Sequence, residues 1–130
     1  MNPPNYGRMM DQTLAALEES GERPTLLLHA CCAPCSSHTL LFLHGHFRIT
    51  LYFYNPNIAP EEEYEFRKSE LKRLVGELGL EVPVIDADYD PTPFYALAKG
   101  LEGLPERSER CRSLRRCLCM RPSTPRRLWV

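Results

Sequence analysis

The sequence predicts an α/β protein built on a parallel sheet, and three observations carry that prediction. Short apolar or β-branched runs alternate with helical patterns along the chain. The stretches between runs are long enough for the right-handed helical crossovers that parallel strands need. Each run ends in a polar or thiol cluster: the cysteines after Ala30, the turn Tyr54-Asn55-Pro56-Asn57, and Asp86 with Asp88. In an open parallel sheet such strand ends converge on one crevice, where ligands bind. A length of 130 residues suits one domain with one core. With 43% apolar and 25% charged residues the composition is that of a globular protein, and a net charge of −1 gives no global field for nucleic acid or anionic membrane. No apolar stretch approaches the roughly 18 residues of a membrane span. The N-terminus lacks the basic-then-apolar order of a signal peptide. The expected location is the cytoplasm, with no membrane partner.

Taken in order, residues 1–24 read as a polar lead-in followed by a helix. The helix is expected from Met9 to Ser20, with Met10, Leu14 and Leu17 at helical spacing and Gly21 as a stop; its methionines are read as core. Leu26 to His29 is a leucine-rich buried strand that stops at Ala30, and Cys31, Cys32 and Cys35 follow at once. Pro34 is expected to interrupt any helix there, so the next helix, carrying Leu40 to Leu43, is expected to begin at a Ser36 or Ser37 cap.

Ile49 to Tyr54 is the second strand, β-branched and aromatic. Pro60 then opens a helix with Glu61, Glu62 and Glu63 in its first turn, where the macrodipole favours acids. Tyr64, Leu71, Leu74, Val75 and Leu78 form its apolar stripe, and Gly79 fits the position just past its end. Val82 to Ile85 is a third strand, placed at a sheet edge by Pro83. Asp90 caps a further helix that starts at Pro91, carries Phe94, Tyr95 and Leu97, and ends at Gly100. From Arg110 the composition turns basic and acid-free; with prolines and no strand period it reads as a solvated tail.

The chemistry lies with the six cysteines. Cytosolic thiols stay reduced, and adjacent Cys31 and Cys32 are poor disulfide partners, so metal or redox chemistry is the better reading. Cys32-Ala-Pro-Cys35 could be half of a zinc site, but no second knuckle follows, since Cys111, Cys117 and Cys119 have other spacings. Adjacent cysteines suit an iron–sulfur cluster, where each reaches a different iron. Cys32-x-x-Cys35 at a helix start also fits a dithiol redox pair. Residues alone leave the three level. His29, His38, His44 and His46 are read as packing or surface residues. Asp86 and Asp88 are read as turn residues unless they face the cysteines. Arg67, Lys68, Lys72 and Arg73 could form a basic patch for RNA, against the plainer reading of a solvated helix face.

The stretches Leu27-Leu-His-Ala-Cys-Cys-Ala-Pro-Cys-Ser-Ser37, Phe53-Tyr-Asn-Pro-Asn-Ile58 and Glu61-Glu-Glu-Tyr64 resemble the QueH type of epoxyqueuosine reductase. So do Asn5-Tyr6, Tyr89-Asp90-Pro91, Lys99-Gly100-Leu101-Glu102 and Glu109-Arg110-Cys111. The resemblance implies a Rossmann-like α/β fold of the adenine-nucleotide hydrolase-like type. It implies reduction of epoxyqueuosine to queuosine at the wobble position of tRNA, the last step of queuosine biosynthesis. It also implies a [4Fe-4S] cluster with Cys31, Cys32 and Cys111 among its ligands, together with an electron donor as a second partner. Removing an epoxide oxygen takes two electrons and protons, which no ordinary side chain supplies renewably; a metal group can, and it polarises the leaving oxygen as well. Cys35 and Asp86 are then candidate catalytic residues, binding an additional iron ion or donating a proton.

The chain departs from the family pattern at position 114, where the fourth ligand is expected and Leu stands. Nothing beyond Arg112 matches by eye. The expected organisation is therefore an α/β cysteine domain over 25–112 and an aberrant basic tail over 113–130, from a change of reading frame near codon 112. The sheet would be incomplete, Cys117 or Cys119 a makeshift fourth ligand, and activity of this chain in doubt. The alternative is a non-enzymatic zinc-binding or dithiol module.

Overall fold

The computed structural model describes residues 2–119, with side chains through Arg116. Three strands form one parallel sheet in the order β1-β2-β3: β1 is Thr25–His29, β2 Arg48–Phe53 and β3 Val84–Asp86. Leu26 pairs with Ile49, Leu28 with Leu51, and Phe53 with Asp86, so the carboxyl ends of all three strands lie along one edge. The strand alternation splits the sheet into two faces. Leu26, Leu28, Ile49, Leu51 and Phe53 pack against Leu14, Leu40, Leu43, Tyr64, Leu71 and Val75 from the preceding and crossover helices. Leu27, Tyr52 and Tyr54 form the second face with Ala87, and Leu114 packs on it. The α/β parallel architecture read from the sequence is the one observed.

Helix α1, Tyr6–Ser20, starts three residues before Met9 because Asn5 caps it: its side chain accepts the Arg8 N–H at 3.0 Å. The supposed lead-in is therefore partly helical, and Met9 is exposed while Met10 packs on the core. Helix α2, Ala33–Leu43, begins at Cys32 rather than at Ser36 or Ser37. Pro34 does not interrupt it. In the first turn the missing N–H has no intrahelical partner to lose, so proline is accommodated. Helix α3, Glu61–Glu77, follows Pro60 and stops at Gly79, whose φ of 65° is the left-handed conformation expected there. The sheet-edge position of β3 is as Pro83 foretold, with the Pro83 carbonyl accepting from Leu51 N–H at 2.8 Å. Helix α4 is Thr92–Ala98, and Asp90 accepts the Thr92 N–H at 3.1 Å.

The stretch from Arg110 departs from expectation. It forms helix α5, Glu109–Cys119, and the first proline after it is Pro122. Leu114 anchors this helix on the second face of the sheet.

Tyr64 ties α3 to the far strand. It is 1% exposed, donates its hydroxyl to the Ala87 carbonyl, and packs on Phe53 and Tyr89 at ring distances of 5.0 and 5.1 Å. Beside it Asp86 accepts from Lys72 at 2.6 Å and lies 3.9 Å from Lys68. Tyr64→Phe leaves a buried carbonyl without its donor, and denaturant unfolding is expected to show a loss of about 1–2 kcal/mol. Lys72 holds the Asp86 carboxyl below its ordinary value of 3.8. A depressed folded-state pKa stabilises above the unfolded value and is lost as pH falls through the folded one. Asp86→Asn is therefore expected to cost about 0.5–1 kcal/mol near neutral pH, a small effect because the pair is partly solvated. The gap to the parent should close below pH 3.8 in unfolding curves taken across that range.

Candidate metal centre

The cysteine turn is set by what happens at the ends of β1 and β2. After His29 the chain continues one more residue along β2, with Ala30 N–H bonded to the Tyr52 carbonyl at 3.0 Å. The Ala30 carbonyl then accepts from the Asn55 side-chain amide at 2.9 Å, and Asn55 is only 2% exposed. One residue earlier, His29 Nε2 stands 3.0 Å from the Tyr54 carbonyl. A carbonyl only accepts, so Nε2 carries the proton. Burial lowers the His29 pKa below 6.5, opposed by the bonds to Tyr54 and Asn55, and the ring works as a neutral clamp. In the sequence Asn55 reads only as part of a turn. Its place between a strand end and a proline is the one signal available there.

Beyond this clamp Cys32 lies in extended backbone, φ −163° and ψ 161°, as the cap residue of α2. Ser36, buried on the next turn, donates to the Cys32 carbonyl at 2.8 Å and fixes the helix start. The result brings Cys31, Cys32 and Cys35 together, with their sulfurs all within 4.8 Å of one another and Cys31 to Cys32 at 3.8 Å. Cys31 and Cys35 are exposed and Cys32 is half-buried. Desolvation, then the neighbouring thiols, push Cys31 up to about 11. The Cys35 thiol hydrogen-bonds to Cys32 and lowers it, with Arg67 helping, while the same bond raises Cys35. Arg67 lines the cleft beside Cys32 and is itself held by Glu63 at 2.7 Å.

The other candidates from the sequence are placed differently. Cys111 sits on α5 and accepts the Arg107 N–H at 3.3 Å, beside Asn57 from the turn after β2. It is near the carboxyl edge of the sheet but outside the three-thiol group. Asp86 is engaged by Lys72 and Lys68 and is also outside that group. Leu114, at the position where a ligand was expected, is packed on the sheet. The side chains of Cys117 and Cys119 lie outside the described residues. The basic residues of α3 are already paired: Arg67 with Glu63, Lys68 with Glu65, Lys72 with Asp86, and Arg73 with both Glu70 and Glu77. No helix among the described residues is long and apolar enough to cross a membrane.

A parallel α/β sheet that presents three gathered thiols at the carboxyl end of its first strand defines a Rossmann-like protein with a thiolate group able to hold a metal. Family comparison makes this particular. The model for epoxyqueuosine reductase QueH matches residues 26–124, and the chain belongs to that family. The match continues past Arg112 to residue 124. Among curated relatives, the epoxyqueuosine reductase of Streptococcus pyogenes is 41% identical over 119 residues, covering 86% of this chain and 47% of the relative. That of Staphylococcus epidermidis is 42% identical over 113 residues, covering 82% and 48%. That of Haemophilus influenzae is 49% identical over 87 residues, covering 66% and 35%. The chain thus spans about half the length, or less, of these relatives.

If the clamp positions the thiols, Asn55→Ala should do two things. It leaves the Ala30 carbonyl buried without a donor, at a cost of about 1–3 kcal/mol in unfolding experiments. It also loosens the turn, so that cobalt(II), followed by its thiolate absorption, binds roughly 10–100-fold more weakly, as when a supporting residue of a metal site is removed.

Proposed function

We propose that this chain provides the thiol centre of an epoxyqueuosine reductase, the enzyme that removes the epoxide oxygen of epoxyqueuosine in tRNA. The observation that carries this reading is the gathering of Cys31, Cys32 and Cys35 at the carboxyl end of β1, in a chain of that family. Three soft sulfur donors on an open edge fit a thiolate-bound metal group, and a [4Fe-4S] cluster is the form proposed, which would pass the two electrons one at a time from an external reductant. Bound there, such a cluster would supply the electrons and a Lewis-acid contact for the departing oxygen, alone or with an additional iron ion.

The chain's own residues then divide the work. Cys31, Cys32 and Cys35 would hold the group. Cys111, on the neighbouring cleft, is the further ligand the resemblance implies, and Cys35 stands in for the one missing at 114. This assignment shifts Cys35 from proton donor to ligand, because its sulfur stands with the other two. Asp86, kept ionised by Lys72, is poorly suited to give a proton, and its proposed role is to fix β3 to α3. The clamp of His29 and Asn55 keeps the turn in place while substrate and electron donor come and go. The partners are tRNA and a reductant, and the cytoplasm is where both meet a reduced thiol centre.

One observation favours a second reading. A tetrahedral ion with metal–sulfur bonds of about 2.3 Å places sulfurs about 3.8 Å apart, and Cys31 and Cys32 are at 3.8 Å. The Cys31–Cys32 pair already has the spacing a single zinc needs, whereas a four-iron cube requires the exposed thiols to swing outward. Anaerobic reconstitution with iron and sulfide decides between them. The reductase reading expects a brown protein with broad visible absorption, equal iron and sulfide, and loss of colour in Cys31→Ser and Cys32→Ser. A chain that stays colourless and binds one zinc tightly instead contradicts it.

A further inference from the structure

The basic charge of this protein is distributed unevenly in a way that points to a second contact with substrate. On α3 every cation is committed to a carboxylate. Around the start of α5 the balance differs. Glu109 takes Arg112 at 3.6 Å and Arg116 at 3.3 Å. Arg107, Arg110 and Arg115 have no carboxylate within ion-pair distance among the described residues. These three arginines line one cleft, of about 480 Å³, whose wall also carries Phe94, Asn57 and a single acid, Glu106. That volume is in the range of small-ligand sites and exceeds what a lone phosphate needs. Arg107 is held with φ 64°, its N–H on the Cys111 sulfur, and Arg110 reaches the Glu102 carbonyl at 3.5 Å. The backbone of Arg107 and the guanidinium of Arg110 are thus each held by one bond from their own surroundings.

We propose that this cleft, between α4 and α5 and opening beside Cys111, binds a nucleotide of an RNA substrate through its phosphate, with Arg107, Arg110 and Arg115 as the cations. Three unneutralised guanidinium groups converging on one concavity match a phosphodiester, which accepts the parallel N–H pairs that a guanidinium offers. Phe94 on the same wall supplies a flat apolar surface for the attached base or ribose. Asn57, on the turn after β2, links the cleft to the edge where the thiols stand. A strand bound here passes within reach of the thiol centre. The inference rests on the reductase reading for the identity of the polymer and on the charge pattern for its position.

The test is RNA binding by the full chain, using a fluorescently labelled unmodified tRNA transcript over a range of salt. Removing one arginine–phosphate pair should flatten the dependence of log affinity on log salt by about one. Because the three cations share one phosphate, Arg107→Gln with Arg110→Gln is expected to flatten it by about one, and Arg115→Gln by a measurable part of that. Arg73→Gln, on the paired face of α3, should leave the slope unchanged. The double lysine variant, Arg107→Lys with Arg110→Lys, should recover most of the slope. A thermal melt of each variant shows that the fold is intact, and Arg115, exposed and without a described partner, provides a variant with no folding risk. A slope that the glutamine variants leave unchanged overturns the proposal while the reductase reading stands. Weakened binding in those variants, in a chain that holds no iron–sulfur cluster, sustains the cleft and sinks the reductase reading instead. Absence of tRNA binding by the parent chain at low salt overturns the cleft outright.

Discussion

The buried bond from the Asn55 amide to the Ala30 carbonyl is the constraint on which the rest of the site depends. A parallel sheet brings strand ends to one edge but does not say how the chain leaves each strand. Here the chain leaves β1 through a residue whose N–H is taken by β2 and whose carbonyl is taken by the turn that follows β2. His29, neutral and bonded to the Tyr54 carbonyl, repeats the connection one residue earlier. With both ends of Ala30 tied, Cys31 turns outward, and Cys32 is delivered to the cap position of α2. The thiols are exposed at a point where the backbone beneath them has little freedom. That combination, accessible sulfur on rigid support, is what a metal centre working on a large substrate needs.

The same tie explains how the two faces of the sheet share one function. The crossover helices α2 and α3 pack on Leu26, Leu28, Leu51 and Phe53 and hold the cysteine turn from one side. Helix α5 packs through Leu114 on the opposite face and carries Cys111, Arg110 and Arg115 toward the same edge. The acids follow this division. On α3 they neutralise the cations along the helix and fix β3 through Asp86; at α5 a single glutamate serves two arginines and leaves three free of carboxylates among the described residues.

Much of this is legible in the sequence because it is carried by period and punctuation. Apolar runs at Leu26, Ile49 and Val82 mark the strands, the third of which begins two residues later, at Val84; the Tyr64-to-Leu78 stripe marks α3, and Gly21 and Gly79 mark helix ends by their need for positive φ. The departures share a physical cause. Pro34 reads as a breaker only when the rule for helix interiors is applied to a first turn, and Met9 reads as core because one periodic stripe does not reveal how far a helix starts upstream. The α5 helix is hidden by composition: arginine is a good helix former, but a basic, proline-containing stretch looks like a solvated tail until the position of its first proline is weighed. The gathering of Cys31, Cys32 and Cys35 is legible because all three lie on one strand-to-helix turn, whereas the separate placement of Cys111 and Asp86 depends on distances between elements that no spacing along the chain encodes. The family resemblance supplies the chemistry, while the placement of each donor comes from the fold.

The central claim is that Cys31, Cys32 and Cys35 act as one metal-binding unit on the clamped turn. Alkylation of individual cysteines, mapped by mass spectrometry on the chain before and after anaerobic loading with iron and sulfide, tests it most directly. All three are expected to react in the metal-free chain and to be protected together once the group is bound, with Cys111 joining them if it closes the set. Thiols at 31, 32 and 35 that stay as reactive in the loaded chain as in the metal-free one would contradict it.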